Sequence, residues 1–263
     1  MHRLNEINVP PDHVALHWLG QSSFAFKSSE GTVIQCDPYF PHDRPADRFI
    51  HAEPPLNESD LETDYVILTH DHGDHTCVES IGRIHEAFPD CRYVGPSESI
   101  ENLLDNGIPM ELTTEVTAGE EARLGDVTAH VVWAKPPEGV PEDNIEPPGV
   151  QHLGFVLSFG VTNLYISGDP INTFANHEEL IAPIAKLEPD IGILTTHPTE
   201  GEFPFFDGSV ETAFKLGLRT VVPAHYQCFV SRNYDPGEYI QKFPEDGPLP
   251  LIIPYNESIV YPV

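Results

Sequence analysis

Seven residues between a predicted strand and a predicted helix constrain this chain most. They read Thr-His-Asp-His-Gly-Asp-His at positions 69–75, so three imidazoles and two carboxylates share one turn. The apolar run at 65–68 predicts a buried strand, and the T-x-x-E box of Thr76 and Glu79 predicts the start of a helix. Imidazole and carboxylate groups gathered at a strand end suit a divalent cation. The turn therefore predicts a metal site rather than a solvated polar loop.

Length and charge limit the classes of partner. A chain of 263 residues forms one large domain or two small ones, and no shift in composition marks a linker, so we expect a single domain over 1–263. The formal net charge of -29 repels nucleic acid and anionic membranes. We therefore expect a small-molecule substrate, no nucleic acid and no membrane. A homo-oligomer is compatible with the sequence.

The cysteines and the first residues bear on the compartment. Cys36, Cys77, Cys91 and Cys228 form no C-x-x-C pair and are too scattered for a disulfide scaffold. The stretch 1–13 lacks the apolar core of a signal peptide, and no apolar run approaches about 18 residues. These features predict a reduced, cytoplasmic protein.

Predicted strands come first as a run and later alternate with helices. The pattern predicts strands at 14–19, 23–27, 32–36, 65–69, 92–94, 127–133, 190–194 and 220–222, a hairpin of 153–159 with 163–167 around Gly160, and helices at 76–88, 100–104, 178–187 and 208–216. Residues 38–60 and 135–149 are long loops, which usually carry function. This order suits an α+β fold in which two sheets pack face to face with helices outside, although periodicity alone does not distinguish it from other α+β domains.

Two later strand ends carry further candidate ligands. The apolar strand at 164–167 ends in Gly168-Asp169, and the strand at 220–224 ends in His225. A carboxylate at a strand tip beside a glycine is a good bridging ligand for two cations. Each motif taken alone is more often a turn or a structural histidine. Together with the turn at 69–75, both favour a metal site.

In this order, the motifs resemble the metallo-β-lactamase superfamily, and within it the ascorbate-6-phosphate lactonase-like branch. The resemblance is carried by segments at 18–22, 31–32, 69–75, 167–169 and 222–226, together with Asp37. It implies a four-layer α/β/β/α sandwich and a metal-dependent hydrolase that holds two divalent metal ions, zinc or manganese.

The resemblance also implies a role for each candidate ligand. It assigns His70 and His72 to the first metal, Asp74, His75 and His225 to the second metal, and Asp169 to a bridging position. A cation pair lowers the pKa of a shared water and polarises the group under attack. Asp74 lies within reach of that water and is a candidate catalytic residue for proton transfer.

Further residues are candidates for the site without a fixed role. His197 follows the strand at 190–194 and is a candidate catalytic proton donor, ligand or substrate contact, although a surface histidine in a Pro-bounded turn fits equally well. Gln21, Asp37 and Tyr226 are candidates to line the site.

One departure from the superfamily concerns the histidine of the middle motif. Lys135 stands where that histidine is expected, and a lysine ligand would need a neutral amine, which is costly near pH 7. His130 lies mid-strand and His152 lies beyond the loop, so either would need rearrangement. We therefore expect a first metal site that is weak or completed by another group, and unequal affinities for the two metals.

The sequence favours a hydrolase that acts as a lactonase on a small polar substrate. A phosphorylated lactone would need cationic contacts, yet no Lys or Arg lies between His197 and Ser209, and only Lys135 and Arg232 stand near the expected site loops. Two alternatives remain open. One is a metallo-phosphodiesterase acting on a nucleotide or lipid phosphodiester, and the other is a non-catalytic metal-binding sensor.

Overall fold

A computed structural model describes residues 1–199 and 201–262 of the chain. Its strands, in chain order, are β1 (Val14–Trp18), β2 (Phe24–Lys27), β3 (Val33–Cys36), β4 (Tyr65–Ile67), β5 (Arg92–Gly95), β6 (Thr113–Glu115), β7 (Glu121–Leu124), β8 (Val127–Lys135), β9 (His152–Phe159), β10 (Thr162–Ile166), β11 (Ile191–Thr195), β12 (Thr220–Ala224), β13 (Leu249–Pro250) and β14 (Glu257–Tyr261). Its α-helices are α1 (Arg3–Glu6), α2 (Val78–Ala87), α3 (Ser97–Asp105), α4 (Glu178–Ala185), α5 (Phe206–Lys215) and α6 (Pro236–Ile240).

The strands form two mixed sheets. Within the described ranges, one sheet has the order β14-β1-β2-β3-β4-β5-β6 and the other the order β13-β12-β11-β10-β9-β8-β7. Strands β3 to β6 run parallel, as do β10 to β13, whereas the remaining pairs are antiparallel. The carboxyl ends of the parallel strands in each sheet therefore lie along one edge, where functional loops collect.

The main core lies between the sheets, and helices cover their outer faces. In β4, Ile67 packs into this central core, while its neighbour Val66 packs outward against Ile81 of α2 and Leu103 of α3. This division follows from the two-residue period of a strand. Helices α4 and α5 pack beside β8 and β11 of the other sheet. The expected α+β fold, a four-layer α/β/β/α sandwich, is confirmed.

The predicted hairpin and the predicted end of one helix are also confirmed. Strands β9 and β10 pair antiparallel, with Phe159 opposite Thr162, and Gly160 takes a φ of 65° in the turn. Helix α3 ends before Gly107, whose φ of 90° is the left-handed conformation that glycine adopts at low cost.

The predicted capping box before α2 is wrong. The helix starts at Val78, and its N-cap residue makes no side-chain capping bond. The hydroxyl of Thr76 instead donates to the backbone oxygen of His70, 2.9 Å away. Glu79 pairs with Arg83 on the next turn of the helix. Thr76 therefore fixes the metal-site turn instead of capping the helix.

All four cysteines are buried and free. Of the helices that the structure describes, none combines the length and the apolar composition needed to cross a bilayer.

Candidate metal centre

Strand ends from both sheets bring the candidate ligands together. His70 follows β4, Asp169 follows β10 and His225 follows β12. The amide of Leu153 donates to the backbone oxygen of Thr69 at 2.8 Å, which ties the two sheets together beside the site. The paired sheets thus converge at one edge on residues that lie far apart in the chain.

A glycine makes this close approach feasible. Gly168 has a φ of 57°, and a Cβ added there would lie 2.4 Å from the backbone oxygen of Leu153. Only glycine fits this backbone without displacing its neighbours. The glycine therefore sets the position of Asp169, the next residue.

One group of possible ligands consists of His70, His72 and His152, whose donor atoms lie within 4.8 Å of one another. Nε2 of His70 is 3.0 Å from Nδ1 of His72. The rings of His70 and His152 stack with their centroids 4.0 Å apart. This group corresponds to the first metal position.

A second group consists of Asp74, His75 and His225. Oδ2 of Asp74 is 3.8 Å from Nε2 of His225 and 4.0 Å from Nε2 of His75. Asp169 lies between the two groups, because its Oδ2 is 3.5 Å from Nε2 of His75, 3.6 Å from Nε2 of His225 and 3.9 Å from Nε2 of His70. The structure thus brings together all six predicted ligands and places Asp169 where a bridging carboxylate belongs.

These residues fit divalent-metal binding. Zinc–nitrogen bonds of about 2.0–2.1 Å put two ligands of one tetrahedral ion about 3.4 Å apart, close to the separations observed here. In the described part of the chain, Nε2 of His75 and Oδ1 of Asp169 are buried without a hydrogen-bond partner. Such orphaned atoms are costly unless an ion or a water satisfies them. The donor set and its spacing therefore suit metal binding.

Burial keeps most of the histidine rings neutral. Burial, followed by the neighbouring His75 and His152, holds the pKa of His70 well below its usual value. Burial and then the charge of Lys135 lower the pKa of His152 to about 3. Burial also lowers the pKa of His225. A neutral imidazole offers the lone pair that a metal ion needs.

His75 and Asp169 form the charged pair at the centre. Burial acts to lower the pKa of His75, but the carboxylates of Asp169, Asp37 and Asp74 outweigh it and raise the pKa well above its usual value. Burial likewise acts to raise the pKa of Asp169, but His225 and His75 outweigh it and hold the pKa well below its usual range. The carboxylates around His75 therefore favour a positive charge at this point of the site.

Asp37 binds the ring nitrogen of His75 that faces away from the other candidate ligands. Its Oδ2 accepts hydrogen bonds from Nδ1 of His75 at 2.7 Å and from the hydroxyl of Thr69 at 2.6 Å, while its Oδ1 accepts from the amide of Thr69 at 2.8 Å. A carboxylate on the far nitrogen of a ligand histidine fixes the ring and its tautomer. Asp37 is therefore a positioning residue rather than a group that lines the cavity.

Gln21 joins the second group directly. Its amide nitrogen is 2.8 Å from Oδ2 of Asp74 and 2.9 Å from Nε2 of His225. Its backbone takes a φ of 53°, outside the usual region, and exchanges backbone hydrogen bonds with the His225–Tyr226 segment. Strain of this kind persists only where the surrounding structure fixes it. Gln21 thus orients the second group.

The expectation that His152 would need rearrangement to reach the first group is wrong, because its donor atom already lies with those of His70 and His72. His152 opens β9 and stands opposite Lys135 in the β8–β9 ladder. The sequence signal for this is position alone. His152 directly precedes the predicted strand at 153–159, and the antiparallel hairpin places the start of that strand beside the end of the strand that leads to Gly168-Asp169. The first group is therefore completed by a histidine.

Two other candidates lie outside the ligand groups. His197 is buried after β11, where its Nδ1 accepts from the amide of Thr199 at 3.2 Å and its ring meets Tyr234 edge-on. Its catalytic role stays a prediction. Tyr226 packs between Trp18 and Tyr234, with ring centroids 4.5 and 4.7 Å away, and belongs to the core.

A cavity of about 460 Å³ opens beside the first group. Its lining includes His72, His152, Lys135, Glu202 and the loop at 144–149. Nζ of Lys135 donates to Oε2 of Glu202 at 2.6 Å, so this lysine forms an ion pair and is not a metal ligand. The long loop predicted at 135–149 thus forms a wall of the cavity.

Comparison with known proteins agrees with this geometry. The profile of the Beta-lactamase superfamily domain matches residues 32–226. The chain belongs to the metallo-β-lactamase superfamily.

Relatives within the superfamily cover most of the chain. A UPF0173 metal-dependent hydrolase of Methanosarcina mazei is 26% identical over 227 residues, which are 84% of this chain and 87% of the relative. "Probable L-ascorbate-6-phosphate lactonase UlaG" of Salmonella paratyphi B is 22% identical over 276 residues, 89% of this chain and 75% of that protein. Igni18, a metallo hydrolase of Ignicoccus hospitalis, has a similar structure with a TM-score of 0.71 and 20% identity, covering 95% of this chain and 98% of its own. The chain is thus a metal-dependent hydrolase of the metallo-β-lactamase superfamily.

Proposed function

We propose that this hydrolase uses two divalent cations, zinc or manganese, to open a lactone or a similarly small polar ester. The observation that carries the proposal is the cavity of about 460 Å³ with His72 and His152 of the first group in its wall. A substrate in this cavity would present its carbonyl beside the ligand cluster. The name of the Salmonella relative supports a lactone as the first substrate to test.

The ligand residues form two groups, one for each cation. His70, His72 and His152 would hold one cation, Asp74, His75 and His225 the other, and Asp169 would contact both. When bound, such a pair lowers the pKa of a water and polarises a carbonyl. Asp37 and Gln21 keep the ligands in place through their hydrogen bonds.

Asp74 is the better placed carboxylate for proton transfer. Its side chain is 25% exposed, compared with 12% for Asp169, so Asp74 is the more accessible of the two carboxylates. In our proposal it receives the proton released on attack and returns it to the leaving oxygen. Gln21 donates to Oδ2 of Asp74 and steadies that carboxylate.

The cavity gives less support to a phosphodiester. Among the described lining residues Lys135 is the one cationic side chain, and Glu202 already neutralises it. Glu146 adds a further carboxylate to the wall. Phosphate groups usually bind several charge-assisted donors, so an uncharged or singly charged ester suits this cavity better.

A substrate panel tests the proposal. Protein purified without chelator and then loaded with zinc or manganese is assayed on lactones, phosphodiesters and thioesters, and metal content is measured by elemental analysis. We expect up to two ions per chain and turnover of lactones above the others. Preferred turnover of phosphodiesters would support the phosphodiesterase alternative. Two bound ions without turnover of any of the three substrate classes would support the sensor alternative.

The variant Asp74→Asn distinguishes an effect on catalysis from an effect on folding. The amide keeps the shape but removes the anion, so we expect weaker binding of the second metal and turnover lower by orders of magnitude. The melting temperature should change less, because β4 and α2 have their own buried contacts. Full activity with wild-type metal content would remove Asp74 from the mechanism.

The net charge supports our proposal on partners, and the cysteines support our proposal on location. At -29 the protein is proposed to act on a small molecule without binding nucleic acid or a membrane surface. We also propose a cytoplasmic location, which the free cysteines support. Sedimentation of the purified protein will show whether it forms a homo-oligomer.

A further inference from the structure

The wall of the cavity contains a buried ammonium group that the proposed reaction does not use. Lys135 ends β8 just past an irregularity in the β8–β9 ladder and stands opposite His152. Irregularities of this kind re-aim side chains beside active sites. Only 7% of the Lys135 side chain is exposed, although it lines the cavity. The fold thus places a positive charge beside the first ligand group and largely out of water.

This ammonium is under-satisfied by the protein. A lysine has three N–H donors, and within the described part of the chain Nζ has one hydrogen-bond partner, Oε2 of Glu202. Burying a charge is costly unless it is paired and hydrogen-bonded. Two donors therefore remain for a group that enters the cavity.

The partner of this ammonium is replaceable. The side chain of Glu202 is 80% exposed, so it loses little packing when it leaves. The hydrogen bond and charge of Lys135 lower the pKa of Glu202, so this carboxylate is ionised at neutral pH. Phe203, the next residue, is buried with its ring against His225, 4.7 Å between centroids. The chain is thus anchored beside the exposed carboxylate.

We propose that Lys135 binds a carboxylate group of the substrate, and that Glu202 occupies this position in the free enzyme. The inference rests on the proposed hydrolysis and narrows its substrate to a small lactone or ester that carries one carboxylate. A singly charged carboxylate matches one ammonium. A phosphate dianion would face Lys135 without a second cation among the described lining residues and beside Glu146.

Binding of a simple probe tests this site separately from catalysis. Zinc-loaded protein, and metal-free protein dialysed clear of chelator, are titrated with succinamate, which carries one carboxylate, and with uncharged succinamide by calorimetry or NMR. We expect succinamate to bind both forms and succinamide to bind at least tenfold more weakly. Lys135→Met should weaken succinamate binding at least tenfold, and Lys135→Arg should retain most of it.

Glu202→Gln gives a prediction of opposite sign. Removal of the competing carboxylate should strengthen succinamate binding severalfold, whereas a purely structural ion pair would give no gain. Lys242→Met is the matched control, because Lys242 pairs with the exposed Asp207 at 2.9 Å outside the cavity lining. If Lys135→Met does not fold, Glu202→Gln and Lys135→Arg still decide the question. Unchanged succinamate binding in Lys135→Met, or weaker succinamate binding in Glu202→Gln, would overturn the proposal.

Kinetics distinguish failure of this site from failure of the proposed function. On lactones with and without a carboxylate, Lys135→Met should raise KM at least tenfold for the carboxylated substrate alone. If the KM values depend neither on the substrate carboxylate nor on Lys135, the carboxylate site is refuted and the proposed hydrolase activity still stands. Lys135-dependent succinamate binding without hydrolysis of any ester would support the site and refute the proposed reaction.

Discussion

Asp37→Asn is the sharpest test of how the second ligand group is built. The Oδ2 atom of Asp37 accepts from Nδ1 of His75 and from the hydroxyl of Thr69, and its Oδ1 accepts from the amide of Thr69. An asparagine can keep the bond to the Thr69 amide through its own oxygen. Its NH₂ group then faces Nδ1 of His75, and two donors cannot share a bond.

The conflict has a defined consequence for metal binding. His75 can avoid it by moving its proton to Nε2, the atom that faces Asp74 and Asp169. A protonated Nε2 cannot bind a cation. Loss of a carboxylate that orients a ligand histidine typically costs 10- to 100-fold in metal affinity, which corresponds to about 1.4–2.7 kcal/mol.

The effect on folding should be smaller and measurable separately. Loss of one hydrogen bond to a charged group costs about 2 kcal/mol. For a chain of 263 residues, with an unfolding entropy of about 2.1 cal/mol/K per residue, this lowers the melting temperature of the metal-free protein by about 4 °C. The variant should therefore be folded at the temperature of the binding assay.

The assay is a zinc titration against a chromophoric chelator, fitted for two sites. Asp126→Asn is the control, because its Oδ1 accepts from the hydroxyls of Ser28 and Thr32 instead of a ligand histidine. We expect one site to weaken 10- to 100-fold in Asp37→Asn and neither site to weaken in Asp126→Asn. Two wild-type affinities in Asp37→Asn would refute this account of the tautomer, and equal losses in both variants would show a general destabilisation.

Three further predictions use other parts of the structure. His152→Ala should weaken one zinc site at least about tenfold while the other keeps its affinity, because His152 completes the first group; the same titration checks this, and two unchanged sites would remove His152 from the ligands. Gly168→Ala should lower the free energy of unfolding by at least about 2 kcal/mol, because the backbone is left-handed there and the new Cβ would contact Leu153. Gly82→Ala is the control, since it adds a Cβ in open space on α2 and should be neutral or stabilising. Thermal melting compares the two variants, and equal shifts in melting temperature would contradict the argument. At physiological salt the net charge of -29 should prevent measurable binding of long RNA or DNA in a gel-shift assay, and salt-sensitive submicromolar binding would reveal a basic patch.

Local spacing was enough to predict a large part of the site. The turn at 69–75 places four ligands within six residues, so its chemistry is visible wherever the chain goes. The hairpin around Gly160 and the order of strands and helices likewise depend on periods and turns that each segment carries itself. The family resemblance then supplied the pairing of that turn with Asp169 and His225.

Tertiary structure decided what the sequence could not show. His152 becomes a possible ligand because the start of β9 lies against the turn after β4, and Asp37 supports His75 because β3 lies beside β4. Glu202 reaches Lys135 although 67 residues separate them. Such contacts depend on strand register and sheet packing between segments that are far apart in the chain. A short sequence pattern around one residue does not contain that information. The sequence by itself therefore determined the fold class and the chemistry of the turn, and the packed sheets determined the completed ligand set and the charge in the cavity.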